Sequence, residues 1–298
     1  MVSMKEERTL SDANIPPRFH ETHSMEAHEV LPNVYIPQTG IDYPEIPDQP
    51  ILTPKKLREV VLDENYPYLD KSFGAKLRNV AIYAGIFVLV FPLQKIRYGL
   101  KVVGRKNITK NKKLFKNGAL TVCNHVYRWD FLAVLQAARF RRIWFPARPD
   151  NIQGSDAGLI RSTGGIPIPS TISASRKFNQ AFDELHERKK WIHVFPEACR
   201  WDFYQPIRPF KKGAFTMAVR YGIPVVPMVI SYRNPKDSWF HKLIGTKHPL
   251  ITINVGEPLV VNPDMSRKEA TNWLREKSHA KMCEMAGIVK NYWPVEGD

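Results

Sequence analysis

Ala119-Leu120-Thr121-Val122-Cys123-Asn124-His125-Val126-Tyr127-Arg128-Trp129-Asp130 is the stretch whose reading decides the architecture. Its first five residues, ALTVC, read as a buried strand, and a helical stretch follows around Asp130–Arg139. Between them Asn124 and His125 stand at the strand's end, where loop-borne active sites are usually found. Asp130 lies five positions beyond His125. On an ideal helix five residues turn through about 500°, leaving the two side chains about 140° apart, so they cannot meet on one continuous helix. They meet if His125 occupies the turn and Asp130 the first helical turn; the carboxylate then fixes the imidazole tautomer and raises the basicity of the other ring nitrogen. On spacing alone, a turn histidine followed by a helix-capping aspartate is the reading favoured over the pair.

The alternation continues outward from this stretch. RIWFPA (142–147) and GGIPI (164–168) read as strands, and Ser173–Lys189 as a helix with Phe178, Ala181, Phe182 and Leu185 on one face. WIHVF (191–195) is a strand, Gly213–Tyr221 a helix stopped by Gly222, and PVVPMVISY (224–232) and LITINVG (250–256) are strands. Ser266 and Glu269 form a capping box that opens a last helix. Strands separated by helices predict a sheet with helices packed on it and its loops gathered at one end.

Upstream, Val80–Leu93 (VAIYAGIFVLVFPL) carries no charge over fourteen residues. A helix of that length rises about 21 Å, short of the roughly 30 Å hydrocarbon thickness of a bilayer. Both a buried core helix and a half-immersed membrane helix fit. Lys71, Lys76 and Arg78 before it and Lys95, Arg97 and Lys101 after it favour the membrane reading. Residues 1–70 hold nine of the 24 prolines and read as an extension that lies along the main domain.

With 298 residues, 43% of them hydrophobic and 11% aromatic, the chain has material for a sizeable core, which excludes wholesale disorder. The net charge of +15 calls for an acidic partner, and its distribution is uneven. Residues 1–70 have 6 Lys/Arg against 13 Asp/Glu, leaving 38 against 16 in residues 71–298. The charge is scattered and no nucleic-acid-binding pattern accompanies it, so nucleic acid is not the expected partner. Cys123, Cys199 and Cys283 form neither a disulfide framework nor a metal pair, which fits a reducing cytoplasm, and Met1–Leu10 lacks the apolar core of a signal peptide. No metal site is expected.

Three further segments carry candidate chemistry. Phe195-Pro196-Glu197-Ala198-Cys199-Arg200 ends the 191–195 strand and leads to Pro209-Phe210-Lys211-Lys212-Gly213, offering one carboxylate and the cations Arg200, Lys211 and Lys212 ahead of a helix N-terminus. Such a loop suits a phosphate, and it equally suits an ordinary solvated charged loop. Gly164-Gly165-Ile166-Pro167-Ile168 and Gly222-Ile223-Pro224-Val225-Val226-Pro227 are strand entries with turn chemistry.

In this order the four segments resemble the glycerolipid acyltransferase family, the 1-acylglycerol-3-phosphate O-acyltransferases and their relatives. The family's NHxxxxD block is matched by Asn124, His125 and Asp130. Its FPEGTR block is matched by Phe195, Pro196, Glu197 and Arg200, with Ala198 in place of Gly and Cys199 in place of Thr. Ile223, Pro224, Val225 and Pro227 match the fourth block, and Val103-Gly104-Arg105-Lys106-Asn107-Ile108 looks like the VxGxENI segment ahead of the first. The second block departs: Pro169 and Ser170 stand where an arginine usually follows, and the nearest one downstream is Arg176. The resemblance covers about residues 75–260.

The resemblance implies an α/β fold with a central mixed sheet flanked by helices and a membrane-associating helix before it. It divides the chain into an extension (1–70), a membrane-associating segment (71–102) and an acyltransferase domain (103–298). It implies acyl transfer from a thioester of acyl carrier protein or coenzyme A, as co-substrate and not as cofactor, to the hydroxyl of a lysophospholipid, first of all 1-acylglycerol-3-phosphate. His125 is then the general base and Asp130 its orienting partner, while Asn124, Glu197, Arg200, Lys211, Lys212 and Arg176 are expected to bind substrate. No GxSxG elbow supplies a nucleophile, so attack is direct. Anionic membrane lipid is the expected surface partner, with the protein peripheral or monotopic on the cytoplasmic side. Two alternatives stay open: a different lysolipid or glycolipid acceptor, and a non-catalytic lipid-binding protein.

Overall fold

The computed structural model describes residues 28–293. Among these residues there are nine strands: β1 Glu29–Val30, β2 Lys101–Val103, β3 Ala119–Val122, β4 Ile143–Ala147, β5 Gly165–Pro167, β6 Trp191–Val194, β7 Val225–Arg233, β8 Leu250–Val255 and β9 Ile288–Lys290. Seven form one mixed sheet in the order β2-β8-β7-β3-β6-β4-β5, in which only the β7–β8 pair is antiparallel. The expected α/β fold with a mixed sheet and flanking helices is the one present.

The period-two alternation of strand side chains sorts the core into two layers. Ala119 and Cys123 of the β3 segment, with Val226, Met228 and Ile230 of β7, face one layer, built with the helix Asp130–Ala137 and the helix Phe73–Tyr98. Leu120 and Val122 of β3, with Val225 and Val229 of β7, face the other, closed by the helices Ile172–Glu187, Gly213–Tyr221 and Arg267–Ala286. The last of these opens on the expected capping box of Ser266 and Glu269. Because β3, β6, β4 and β5 are parallel, the loops after Val122, Val194, Ala147 and Pro167 emerge together at one end of the sheet.

The glycine pair of the 164–168 segment is explained by packing. Gly164, at φ 114°, caps the helix Ala157–Thr163 in a left-handed conformation, and a side chain at Gly165 would collide with Ile160.

The apolar segment runs longer than its uncharged stretch. Val80–Leu93 lies inside a 26-residue helix, Phe73–Tyr98, that rises about 39 Å. Pro92 cannot donate to the carbonyl four residues back, and just ahead of it Ile86–Val90 winds as a π-helical turn in which the Phe91 N–H reaches Ile86 O. One side of this helix is fastened to the domain along its length. Arg78 Nε donates to Ser162 Oγ (3.2 Å), Tyr83 Oη to Thr163 O (3.1 Å), and Gln136 Nε2 to Gln94 Oε1 (2.7 Å). The other side, with Phe73, Leu77, Val80, Val88, Leu89, Leu93 and Ile96, is apolar and open; Val88 is 70% and Leu89 69% exposed.

Of the 1–70 extension, residues 1–27 lie outside the described residues. From His28 onward the chain runs over the domain in irregular segments broken by turns. β1 pairs antiparallel with β9, Arg58 Nε donates to Ile152 O (3.2 Å), and Arg161 reaches the carbonyls of Pro67 (2.6 Å) and Tyr68 (3.0 Å).

Candidate active site

The loop after β3 and the loop after β6 meet at His125. Asn124 sets the first loop: its buried side-chain amide accepts from the Ile230 N–H (2.8 Å) and donates to the Ile230 carbonyl (3.0 Å), extending the β3–β7 ladder by a side chain. Polar groups buried with both partners matched fix a single geometry. Tyr232 Oη then donates to Val126 O at 3.0 Å, so β7 holds the loop on both sides of His125.

The helix after the loop begins at Asp130, which puts His125 in the turn and the carboxylate in the first helical position. His125 Nδ1 lies 2.6 Å from Asp130 Oδ2. Asp130 is 1% exposed and opens its helix. The imidazole lies flat against Phe195, with centroids 4.1 Å apart and planes 14° off parallel, and the His125 side chain remains 22% exposed. Nδ1 is thus committed and the ring plane fixed, while Nε2 lies on the opposite side of the ring from the carboxylate.

The backbone of His125 is held as firmly as its ring. Its N–H donates to Glu197 Oε2 (2.9 Å) and its carbonyl accepts from the Trp201 N–H (2.9 Å). Glu197 is itself 1% exposed, with Oε1 accepting from the Arg208 N–H (3.0 Å) and Oε2 from Arg208 Nη2 (2.7 Å). Both carboxylate oxygens, expected at the acceptor's headgroup, are therefore engaged within the protein.

The expected cations are not gathered into one free cluster. Arg200 Nε stands 2.9 Å from Asp202 Oδ1, Lys211 Nζ 2.7 Å from Asp48 Oδ2, and Arg128, beside the site, 3.1 Å from Asp156. Burial pushes the Asp202 carboxyl above its ordinary range and Arg200 pulls it back. Lys212 is exposed just before the helix Gly213–Tyr221, its carbonyl accepting from Phe215 and Thr216. Arg176 is exposed on the helix Ile172–Glu187, one turn past its start. Cys199 is buried against the carbonyls of Pro47 and Gln49, and burial raises its thiol, which suits packing better than nucleophilic attack. Among the described residues no group of three or more His, Cys, Asp or Glu is placed to hold a metal ion.

Arg208, Trp201 and residues 43–51 belong to this site, and sequence reasoning missed them. Arg208 lies outside every quoted block, in a Gln-Pro-Ile-Arg-Pro run with no periodicity or motif to mark it.

Residues 99–231 match the family model described as Acyltransferase. Over 169 residues the chain is 28% identical to a 1-acyl-sn-glycerol-3-phosphate acyltransferase of Haemophilus influenzae, covering 53% of this chain and 63% of that protein. Over 178 residues it is 30% identical to 1-acyl-sn-glycerol-3-phosphate acyltransferase beta of Homo sapiens, covering 56% of this chain and 59% of that protein. The chain thus spans about three fifths of the length of these curated relatives. The crystal structure of the 1-acyl-sn-glycerophosphate (LPA) acyltransferase PlsC from Thermotoga maritima is 18% identical, with a TM-score of 0.45, covering 71% of this chain and 97% of that one.

Proposed function

From an acyltransferase-family domain over residues 99–231, we propose that the chain transfers a fatty acyl group from a coenzyme A or acyl-carrier-protein thioester to the hydroxyl of 1-acylglycerol-3-phosphate. The observation that carries the chemistry is the His125–Asp130 pair at 2.6 Å, with the ring clamped on Phe195 and Nε2 free of the clamp. His125 Nε2 takes the acceptor hydroxyl's proton as its oxygen attacks the thioester carbonyl. The tetrahedral intermediate collapses with C–S cleavage, and the imidazolium returns the proton to the departing thiolate. Asp130 holds the tautomer and stabilises the transient imidazolium.

The fatty chains of both substrates call for a membrane face. The open apolar side of Phe73–Tyr98 supports one, joined by exposed Trp239, Leu243 and Ile244 of the short helix Trp239–Leu243 and its cap, whose His241 Nε2 lies 2.9 Å from Ile96 O. The helix is long and apolar enough to cross a bilayer, but its inner side is bonded to the domain from Arg78 to Gln94. It therefore lies in one leaflet, with the cations of its ends among anionic headgroups. Gln94 Nε2 also donates to Trp129 O (3.4 Å), so the membrane helix touches the catalytic loop itself. In this reading residues 1–70 are a leader, 71–102 the membrane-associating segment and 103–298 the acyltransferase domain.

A second reading keeps the reaction and changes the acceptor to a lysolipid with a zwitterionic or neutral headgroup. The carboxylates already paired with Arg200 and Lys211 favour it, because they oppose a phosphate monoester there. The deciding experiment is acyl transfer with both donors against a panel of lysolipids, for the wild-type chain and for His125→Ala and Asp130→Asn. Both variants should lose about 10²–10⁴-fold in kcat. Full turnover by either would overturn the assignment, and the preferred acceptor separates the two readings.

A further inference from the structure

We propose that Arg208 is a positioning residue for His125, and that the leader segment Tyr43–Ile51 is the other half of its seat. The guanidinium of Arg208 is 0% exposed. Nη2 donates to Glu197 Oε2 (2.7 Å) and to the Cys199 carbonyl (2.6 Å); Nη1 donates to the Pro47 carbonyl (2.9 Å). Its plane lies over Trp201, 4.4 Å from the ring centroid. Two of its partners reach His125, and Nη2 itself stands 3.5 Å from the His125 carbonyl. Glu197 takes the His125 N–H, and Trp201 supplies the N–H that takes the His125 carbonyl.

The leader closes this set from outside the family-matched region. Besides Pro47 O on Arg208, the Gln49 carbonyl accepts from Trp201 Nε1 (2.8 Å) and Cys199 Sγ (3.4 Å). Tyr43 stacks on Trp201 (5.7 Å) and donates from its hydroxyl to Asp202 O (2.7 Å). Asp48 pairs with Lys211. Without these carbonyls a buried indole N–H would lack its acceptor, and Arg208 Nη1 would keep only the weak acceptor Cys199 Sγ (3.0 Å). An unmet buried donor shifts to find one, and a shift here passes directly to the catalytic loop. The segment turns at residues 45–48, where the Gln49 N–H closes on the Ile46 carbonyl (3.1 Å), and the Pro47 and Gln49 carbonyls are left to the domain.

Glu197 and Arg208 therefore set where the imidazole stands, without touching substrate. This rests on the assignment of His125 as the base, and the test separates the two. In the full chain, Arg208→Gln, Arg208→Lys and Tyr43→Ala are compared with wild type by acyl-transfer kinetics and by the downfield NMR resonance of the His125 Nδ1 proton. Tyr43→Ala leaves the ion pair intact and loosens only the leader, so it carries the test if Arg208→Gln does not fold.

The expected result is a loss of about 10–100-fold in kcat with KM for both substrates unchanged, smaller for Lys than for Gln. The Nδ1 resonance should shift or broaden in all three. Folded variants with wild-type kcat and an unmoved resonance would overturn the proposal. So would a raised KM at wild-type kcat, which would make the cluster a substrate contact. The NMR arm needs no turnover, and so it tests the positioning even if the acyl-transfer reading fails.

Discussion

Arg200 Nε stands 2.9 Å from Asp202 Oδ1, two residues along the same loop. The contact is an ion pair by distance rather than an aligned hydrogen bond, and it occupies the cation that the FPEGTR resemblance assigns to the acceptor's phosphate. Asp202 is the residue to alter. Asp202→Asn keeps the shape and releases Arg200, and one charge-assisted phosphate contact is worth about 1.5–3 kcal/mol. KM for an anionic lysolipid should fall about tenfold while a zwitterionic one changes little. An unchanged ratio between the two acceptors would remove Arg200 from headgroup recognition.

The outer side of Phe73–Tyr98 is predicted to sit in lipid. Val88→Asp or Leu89→Asp places a charge where the helix has neither a protein neighbour nor a polar flank. Burying such an apolar side chain contributes about 1.5–3 kcal/mol, so binding to anionic vesicles should weaken about tenfold or more. Turnover of short-chain, water-soluble substrates should hold, since the inner side and its bonds to Ser162, Thr163 and Gln136 are untouched. Vesicle sedimentation checks the first outcome and a micelle-free assay the second.

Ala198, in the place where the resembling family has glycine, adopts φ 68°. For a residue with a Cβ the left-handed region costs about 1–2 kcal/mol. Glycine relieves that and gives back about 0.4–1 kcal/mol through its freer unfolded chain. Ala198→Gly should therefore stabilise the protein by about 0.5–1 kcal/mol in a urea melt at unchanged slope. A destabilised variant would mean the methyl makes a contact worth more than the strain.

His193 supplies a pH signature. Its ring is buried on β6, 2.8 Å from Thr121 Oγ, and burial first, with His125 nearby second, pushes its pKa from 6.5 down to about 3. Between those values the unfolded chain binds the proton and the folded one does not, so stability rises with pH across this window and falls as the solution is acidified. His28, His248 and His279, also lowered chiefly by burial, add slopes of the same sign. His193→Gln should flatten the dependence of Tm on pH between about 3 and 6.5. An unaltered slope would assign the acid sensitivity to other groups.

Most strands and helices were legible because they depend on local order, whereas the meeting of His125 with Asp130 was one of two geometries the spacing allowed. Continuous apolar runs mark β3 and β7, the 3.6-residue period marks Ile172–Glu187, and the five-residue spacing allows the dyad only across a turn, where the helix start at Asp130 puts it. The short helices Pro149–Gln153 and Ala157–Thr163 escaped notice because too few residues carry a period there. The uncharged run marks only fourteen residues of the long helix, because Arg78, Lys95 and Arg97 also lie within it.

By itself the sequence determined the α/β alternation, the order of the motif blocks, the His125–Asp130 candidate and the uneven charge. Each of these is a property of residues near one another along the chain. Only the tertiary structure decided that Glu197 faces His125 and Arg208, that Asp202 and Asp48 occupy Arg200 and Lys211, and which side of Phe73–Tyr98 stays open. The reason is burial. Once Glu197 and Arg208 are removed from water, each must find a partner wherever the fold brings one. For Arg208 that partner includes the carbonyl of Pro47, 161 residues earlier, beyond the reach of any local pattern.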